Sequence, residues 1–319
     1  MSVVEGVISA GGAPAARLME RLEARMVKLA GGHGEILGRL AADTIAAGGK
    51  RLRPLLVFLA AGTPPPETDG LLRAAVAVEL LHSATLVHDD VLDGAALRRG
   101  RPTVVAAAGR HLAGATGDLL FSRAFAELAG TGSPAMVRAL SRASSGLAAG
   151  ELMQRADAFR AVPVERYLER CRLKTAVLFR AACELGAIEG GGRAREVGAF
   201  GEQIGIAFQL LDDVLDVSGP PERTGKPRGT DLLDGTVTLP LLIARTRDPE
   251  LAALDPRQIG GVTTADEVCG RIAATGALQT VTDKALELVA GAKARLPGLP
   301  ARQQAALELV ADGVVARYA

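Results

Sequence analysis

The sequence contains no tryptophan, and only two tyrosines and seven phenylalanines among 319 residues. A cavity walled by aromatic faces, of the kind that steers cations through cation–π attraction, has little to be built from. Cysteine is scarce too. Cys171, Cys183 and Cys269 include no CxxC pair, and an odd count makes no closed disulfide framework. A reducing, cytoplasmic setting is the simplest expectation. Charge of one sign is missing: 37 Lys and Arg against 36 Asp and Glu leave a formal net charge of +1. That balance argues against a general nucleic-acid binder or a polybasic membrane anchor. Long hydrophobic runs are also missing. The longest, Ala74 to Val87, is broken by Glu79 and His82 and falls short of the ~20 apolar residues needed to span a bilayer. Met1 to Arg17 lack the basic start and apolar centre of a secretory signal. No transmembrane segment is expected.

What is present points to helix. The apolar 48% of the chain is mostly Ala, Leu and Val, and Ala and Leu are strong helix formers. Leu71 to Val87, Met136 to Phe159, Tyr167 to Leu185, Ala194 to Val217 and Thr264 to Leu296 have helical periods and lengths. Alternating β-branched runs with hairpin turns are lacking, so a sheet is not expected. The fold class is all-α. Thr63-Pro64-Pro65-Pro66, Gly190-Gly191-Gly192 and the long polar segment from Ser218 to Gly235 read as loops. Long loops in compact domains are often functional. No low-complexity linker divides the chain, so residues 1–319 are expected to form one domain.

One internal echo carries chemistry. Asp89-Asp90-Val91-Leu92-Asp93 recurs as Asp212-Asp213-Val214-Leu215-Asp216. Residues i and i+4 share a helix face, which aligns Asp89 with Asp93 and Asp212 with Asp216. Clustered carboxylates repel one another, and two such clusters beside apolar turns call for a cation. Magnesium takes oxygen ligands, keeps several waters and commonly joins one or two carboxylates to substrate phosphates. A solvated helix end is the plain alternative for one copy, but two copies followed by basic residues favour the metal. Those basic residues are Arg98-Arg99-Gly100-Arg101 after the first copy and Lys226 and Arg228 after the second. A further cluster, Gly48-Gly49-Lys50-Arg51-Leu52-Arg53-Pro54, puts Lys50 and Arg53 on one face. Arginine forks and lysine point charges both suit phosphate oxygens. The pattern suggests one diphosphate held through metal and another held directly by basic side chains.

Gly48 to Pro54, His82 to Thr103, Gly150 to Gln154 (GELMQ), Lys174-Thr175 and Phe208 to Pro240 together resemble the polyprenyl synthetase family, in that family's order and over nearly the whole chain. The resemblance implies a single-domain bundle of roughly ten or more helices around a central cavity, the isoprenoid synthase fold, usually as a homodimer. It implies a head-to-tail trans-prenyltransferase joining isopentenyl diphosphate to an allylic diphosphate. By the same resemblance, three magnesium ions are held by Asp89, Asp93 and Asp212, with Asp90, Asp213 and Asp216 supporting them. Arg98, Lys174, Thr175, Gln209 and Lys226 would hold the allylic diphosphate, and Lys50, Arg53, His82 and Arg99 the isopentenyl diphosphate. Arg51 and Arg101 are expected at the surface or behind the site. The plain alternatives are a core histidine for His82 and ordinary helix positions for Gln209 and Thr175. Glu79 and His82 echo the Glu-x-x-His pair of di-iron bundles, but the further glutamates such a site needs are not found. In the segment after the second motif many members have Lys following the glycine, whereas here Gly235 precedes Thr236. That puts one phosphate contact in doubt.

Product length is read from the helix ahead of Asp89. One turn rises about 5.4 Å, close to one isoprene unit, so Thr85 and Ala84 form the first gate. Both are small, where short-chain members tend to carry bulky aromatics. The tail would pass on towards Leu81, Leu80 and Ala77, with Phe121 and Phe125 as either the floor or plain core. The expected product exceeds C20, at roughly six to ten isoprene units, and is expected to partition to membrane. Alternatives are a shorter farnesyl or geranylgeranyl product, a partner subunit of a heteromeric synthase, and a class I terpene cyclase. The last is disfavoured by the second aspartate motif and the few aromatics.

Overall fold

The computed structural model describes residues 3–31, 34–219, 227–296 and 298–316, and helix dominates them. The order begins with α1 (Val3–Ala30, interrupted at Gly12), α2 (Glu35–Ala46), α3 (Leu52–Ala61) and α4 (Asp69–Asp93). After a small hairpin come α5 (Val104–Ala129, interrupted at Gly109) and α6 (Pro134–Ala156). Next are α7 (Val164–Cys171), a π-helical turn (Arg172–Ala176), α8 (Val177–Glu189) and α9 (Ala194–Ser218). Short helices α10 (Thr230–Leu233), α11 (Leu239–Arg245) and α12 (Pro249–Ala253) precede α13 (Val262–Ala274), α14 (Ala277–Ala294) and α15 (Ala301–Ala316).

The chain forms two compact units. The first comprises Met1–Ser144, Leu178–Gly201 and Leu296–Val310, and the second Ser145–Val177, Glu202–Arg295 and Ala311–Ala319. Most of these boundaries fall inside helices, among them α6, α8 and α9, which is why no linker composition marks them. The core of the first unit is α4. Its N-terminus is capped by Thr68, whose side chain accepts from the Leu71 N–H, and it ends at Gly94. Leu71, Leu72, Val76, Val78, Leu80 and Leu81 are each at most 4% exposed, and burying such a side chain stabilises by about 1.5–3 kcal/mol. Being apolar on nearly every face, α4 is long and apolar enough by length and composition to cross a membrane. Here 72% of its most apolar window is buried inside the protein, as expected of a core helix. In the second unit Ile204, Leu210, Leu211, Leu241, Val281 and Ala285 form the core.

Two expectations need correction. A sheet was not expected, yet Leu97–Arg98 (β1) pairs antiparallel with Arg101–Pro102 (β2). The turn between them has positive φ at both Arg99 (53°) and Gly100 (74°), the geometry that matches strand twist in two-residue hairpins. Thr264 to Leu296 is not one helix. It divides at Gly276, whose left-handed φ of 73° no helix interior accommodates and which glycine adopts freely. The Thr275 carbonyl freed there accepts from Arg247 Nη1 at 3.2 Å.

Candidate active site

In the first unit the end of α4 presents the first aspartate motif. Asp89 is half-buried and Asp93 exposed, one turn apart on the helix. Asp90 points elsewhere. It is 5% exposed, and its Oδ1 accepts from Arg98 Nε and Nη2, each at 2.8 Å. The hairpin that carries Arg98 and Arg99 is fastened at its far end by Thr103. Its hydroxyl donates to Ala95 O at 2.5 Å, and its Oγ1 accepts from the Ala106 N–H at the start of α5.

Arg99 reaches back to the GGKRLRP loop. A Cβ on Gly49 would lie 3.1 Å from Arg99 Nη1, so the guanidinium sits against that glycine. Lys50 is exposed on the same loop. Arg53 lies with its guanidinium carbon 4.7 Å above the Phe179 ring. Burial pushes Arg53 down to about 10 against the pull of Glu79. Its Nε is buried without a hydrogen-bond partner, an orphaned donor that a phosphate oxygen would satisfy. Burial, and then the charges of Arg53, Arg99, Arg98 and Arg51, push His82 well below its usual range, so it is a neutral imidazole beside four arginines. A cavity of about 330 Å³ opens here, lined by Arg51, Glu79, His82, Asp90, Arg98 and Arg99 among others. The structure thus brings Arg53, His82 and Arg99 together. Arg51, expected at the surface or behind the site, is only 7% exposed. Arg101 is exposed.

In the second unit α9 presents the second motif. Asp212 and Asp216 are half-buried, and Asp216 Oδ2 accepts from the Asp231 N–H at 3.2 Å. Asp213 is 2% exposed and fully engaged within the protein. Its Oδ2 accepts a short hydrogen bond from the Tyr167 hydroxyl, and its Oδ1 accepts from Gln209 Nε2 at 2.8 Å. Burial raises Asp213 to about 7 although both donors hold it back. Gln209 Oε1 in turn accepts from Thr175 Oγ1 at 2.7 Å. Thr175 and Lys174 lie on the π-helical turn, a form that often marks functional sites. Lys174 Nζ pairs with Glu151 at 2.6 Å, and Glu151 also accepts from Arg155 at 2.8 Å. Helix α6 approaches so closely that a Cβ on Gly150 would stand 2.6 Å from the Lys174 nitrogen; only glycine fits. Lys226 lies outside the described residues. Arg228 is occupied by Val217 O at 2.9 Å and Asp266 at 3.1 Å.

Three residues were not singled out from the sequence. Glu151 sits in the GELMQ segment, where a carboxylate after a close-approach glycine was the available signal. Asp231 follows the second motif in the glycine-rich segment. Burial and then Asp216, Asp213 and Asp212 drive its carboxyl well above the usual range. Tyr167 carries no local signal, since its partner Asp213 is 46 residues away.

Around the expected gate, Ala84 and Leu81 are fully buried, and the Thr85 hydroxyl donates to His82 O at 2.8 Å. The Phe121 and Phe125 rings lie 5.1 Å apart. Phe121 is 36% exposed, so it is not plain core. Among the described residues no three or more His, Cys, Asp or Glu side chains converge into a closed metal cage. Hard carboxylates in pairs instead fit a cation that shares its coordination with phosphate and water.

Comparison with known proteins places the chain in a family. The polyprenyl synthetase family profile matches residues 34–268. Heptaprenyl diphosphate synthase component 2 of Geobacillus stearothermophilus is 40% identical over 267 residues, covering 80% of this chain and 83% of that protein. Geranylgeranyl diphosphate synthase of Methanosarcina mazei is 40% identical over 204 residues, covering 61% and 63%. The crystal structure of polyprenyl synthase from Caulobacter crescentus, complexed with calcium and isoprenyl diphosphate, superposes with a TM-score of 0.90 at 36% identity, covering 99% of this chain and 98% of that one. The chain belongs to the polyprenyl synthetase family and is a prenyltransferase of the isoprenoid synthase fold.

Proposed function

We propose that the chain condenses isopentenyl diphosphate with an allylic diphosphate, head to tail, to give an all-trans polyprenyl diphosphate longer than C20. The observation that carries this reading is the arginine-rich pocket around His82, with the orphaned Arg53 Nε, in a chain that also presents two sets of aspartates. Lys50, Arg53, His82 and Arg99 hold the isopentenyl diphosphate. Lys174, Thr175, Arg98 and Gln209 serve the allylic diphosphate, together with Lys226.

Asp89, Asp93 and Asp212 would hold magnesium, and Asp90, Asp213 and Asp216 support them; the metal supplies positive charge to the departing diphosphate. Lys174 and Arg98 add preorganised charge at the same group. The allylic C–O bond breaks with its electron pair leaving on the diphosphate. The isopentenyl double bond attacks the allylic carbon, and the proton lost afterwards goes to the released diphosphate. No side chain need act as a nucleophile. Excluding water from the cavity protects the cation.

The small residues at the gate, Thr85 and Ala84, support a long product. Sizing the alcohols made from labelled isopentenyl diphosphate with geranyl, farnesyl and geranylgeranyl primers tests this; products stopping at farnesyl refute it. Ala84→Phe should shorten the product while the first condensation continues. An unchanged length in that variant would place the tail elsewhere.

A homodimer in the cytoplasm is part of the reading, the latter supported by three buried, unpaired cysteines. A second reading, dependence on a partner subunit, is favoured by the Geobacillus relative's being a component 2. Turnover by the purified chain alone, with its mass in solution, separates the two.

A further inference from the structure

The first arginine of the GGKRLRP loop and the glutamate one turn ahead of His82 have no part in the chemistry above, yet they meet. Arg51 Nη1 donates to Glu79 Oε1 at 2.7 Å, with both residues buried at 7% and 4% exposure. The rest of the guanidinium is used as well. Nε donates to Glu23 Oε1 at 2.6 Å, and Nη2 to Glu23 Oε2 at 3.2 Å and to Ile45 O at 3.0 Å. One side chain thereby ties α1, the end of α2 and the middle of α4 to the loop that carries Lys50 and Arg53.

The backbone at Arg51 is left-handed, with φ 48° and ψ 34°, where it begins α3. Side chains other than glycine seldom adopt that conformation, and it persists where the surroundings hold it in place. A buried ion pair is weak evidence for stability, because desolvation offsets much of the attraction. Its position is the informative part. Glu79 lies three residues before His82 on α4, hence on the same side of the helix, and its charge also reaches Arg53. It therefore offsets the repulsion that Arg99 exerts on Arg53, beside the cavity lined by Arg51, His82, Arg98 and Arg99.

We propose that Arg51 and Glu79 are positioning residues for the isopentenyl diphosphate: their pairing sets the loop bearing Lys50 and Arg53 against the turn of α4 bearing His82. The inference rests on the assignment of those residues to isopentenyl diphosphate.

The test is Arg51→Lys in the full chain, which keeps the charge and loses the fork. Steady-state KM for both substrates, kcat, calorimetric affinity for isopentenyl diphosphate and thermal unfolding are read together. The expected result is a KM and Kd for isopentenyl diphosphate raised roughly tenfold, with the allylic KM and kcat within about twofold of wild type. Arg53→Lys runs beside it. Weakened binding in Arg53→Lys but not in a folded Arg51→Lys overturns this inference alone. Unchanged binding in both overturns the site assignment with it. Should Arg51→Lys fail to fold, Glu23→Gln takes its place, because Glu23 is 46% exposed and meets two of the three guanidinium nitrogens. A Kd unchanged in that variant equally overturns the proposal.

Discussion

Asp90 and Asp213 hold the same place in two identical five-residue motifs, and both are buried. Asp90 faces a guanidinium, with Arg98 Nε and Nη2 each 2.8 Å from its Oδ1. Asp213 faces two neutral donors, the Tyr167 hydroxyl and the Gln209 amide. A cation balances the charge of a buried carboxylate, whereas neutral donors leave part of the desolvation cost standing. Asp213 accordingly rises to about 7. The motif itself does not decide what its second aspartate does; residues outside it do. In each copy the outer aspartates are left more accessible than the second one.

Breaking the charged member of this pair has the largest expected effect. Arg98→Leu removes the guanidinium paired with buried Asp90 and should cost about 3 kcal/mol of stability, seen as a lower midpoint in scanning calorimetry. Adding Asp90→Asn to that variant should recover much of the loss, and no recovery would show that Arg98 acts through something other than Asp90. Breaking the neutral member is milder. Tyr167→Phe removes one donor, with an expected loss of about 1 kcal/mol and, on the proposed role of the second motif in holding metal, a fall in kcat of roughly tenfold. The KM for isopentenyl diphosphate should stay put. If it rises as much as kcat falls, Tyr167 is holding more than the second motif.

The smallest effect is a slope with pH. The folded-state value of Asp213, about 7, lies above the ordinary aspartate value of 3.8. The folded metal-free protein therefore holds that proton more tightly than the unfolded chain does. Its contribution to stability is fully present below the lower value and fades as pH rises through the upper one. Urea unfolding of metal-free wild type should show stability falling over that window, and Asp213→Asn should flatten the trend. An equal slope in the variant would remove Asp213 as its source.

The same comparison shows what the sequence could and could not reveal. Arg98 lies eight residues from Asp90 and was visible as part of a basic cluster, whereas Tyr167 is joined to Asp213 only through the tertiary fold. Helix α4 was legible as a long apolar run broken only by Glu79 and His82, and α9 by its apolar period, and both copies of the motif sit near their ends. The break between α13 and α14 was not, because Gly276 is a single residue inside an otherwise helical pattern and Arg247 satisfies the freed carbonyl from 28 residues away. From the sequence Arg51 could lie at the surface or behind the site, and the structure places it behind. Its burial depends on Glu23 and Glu79, each 28 residues distant in opposite directions. Lys50, Arg53, His82 and Arg99 were picked as one group by resemblance. In the first unit Arg53, His82 and Arg99 lie together, with a neutral imidazole and an orphaned arginine donor among fixed positive charges, while Lys50 is exposed on the neighbouring loop.

The most direct test of the central reading is the affinity of a non-ionising allylic thiolodiphosphate, measured by calorimetry with magnesium, in wild type, Asp89→Asn and Asp212→Asn. If both aspartate sets grip the same metal-bound diphosphate, each single substitution weakens binding by roughly 10- to 100-fold, and the double variant is little worse than either. Full affinity retained in either single variant, or losses that simply multiply in the double, would contradict it.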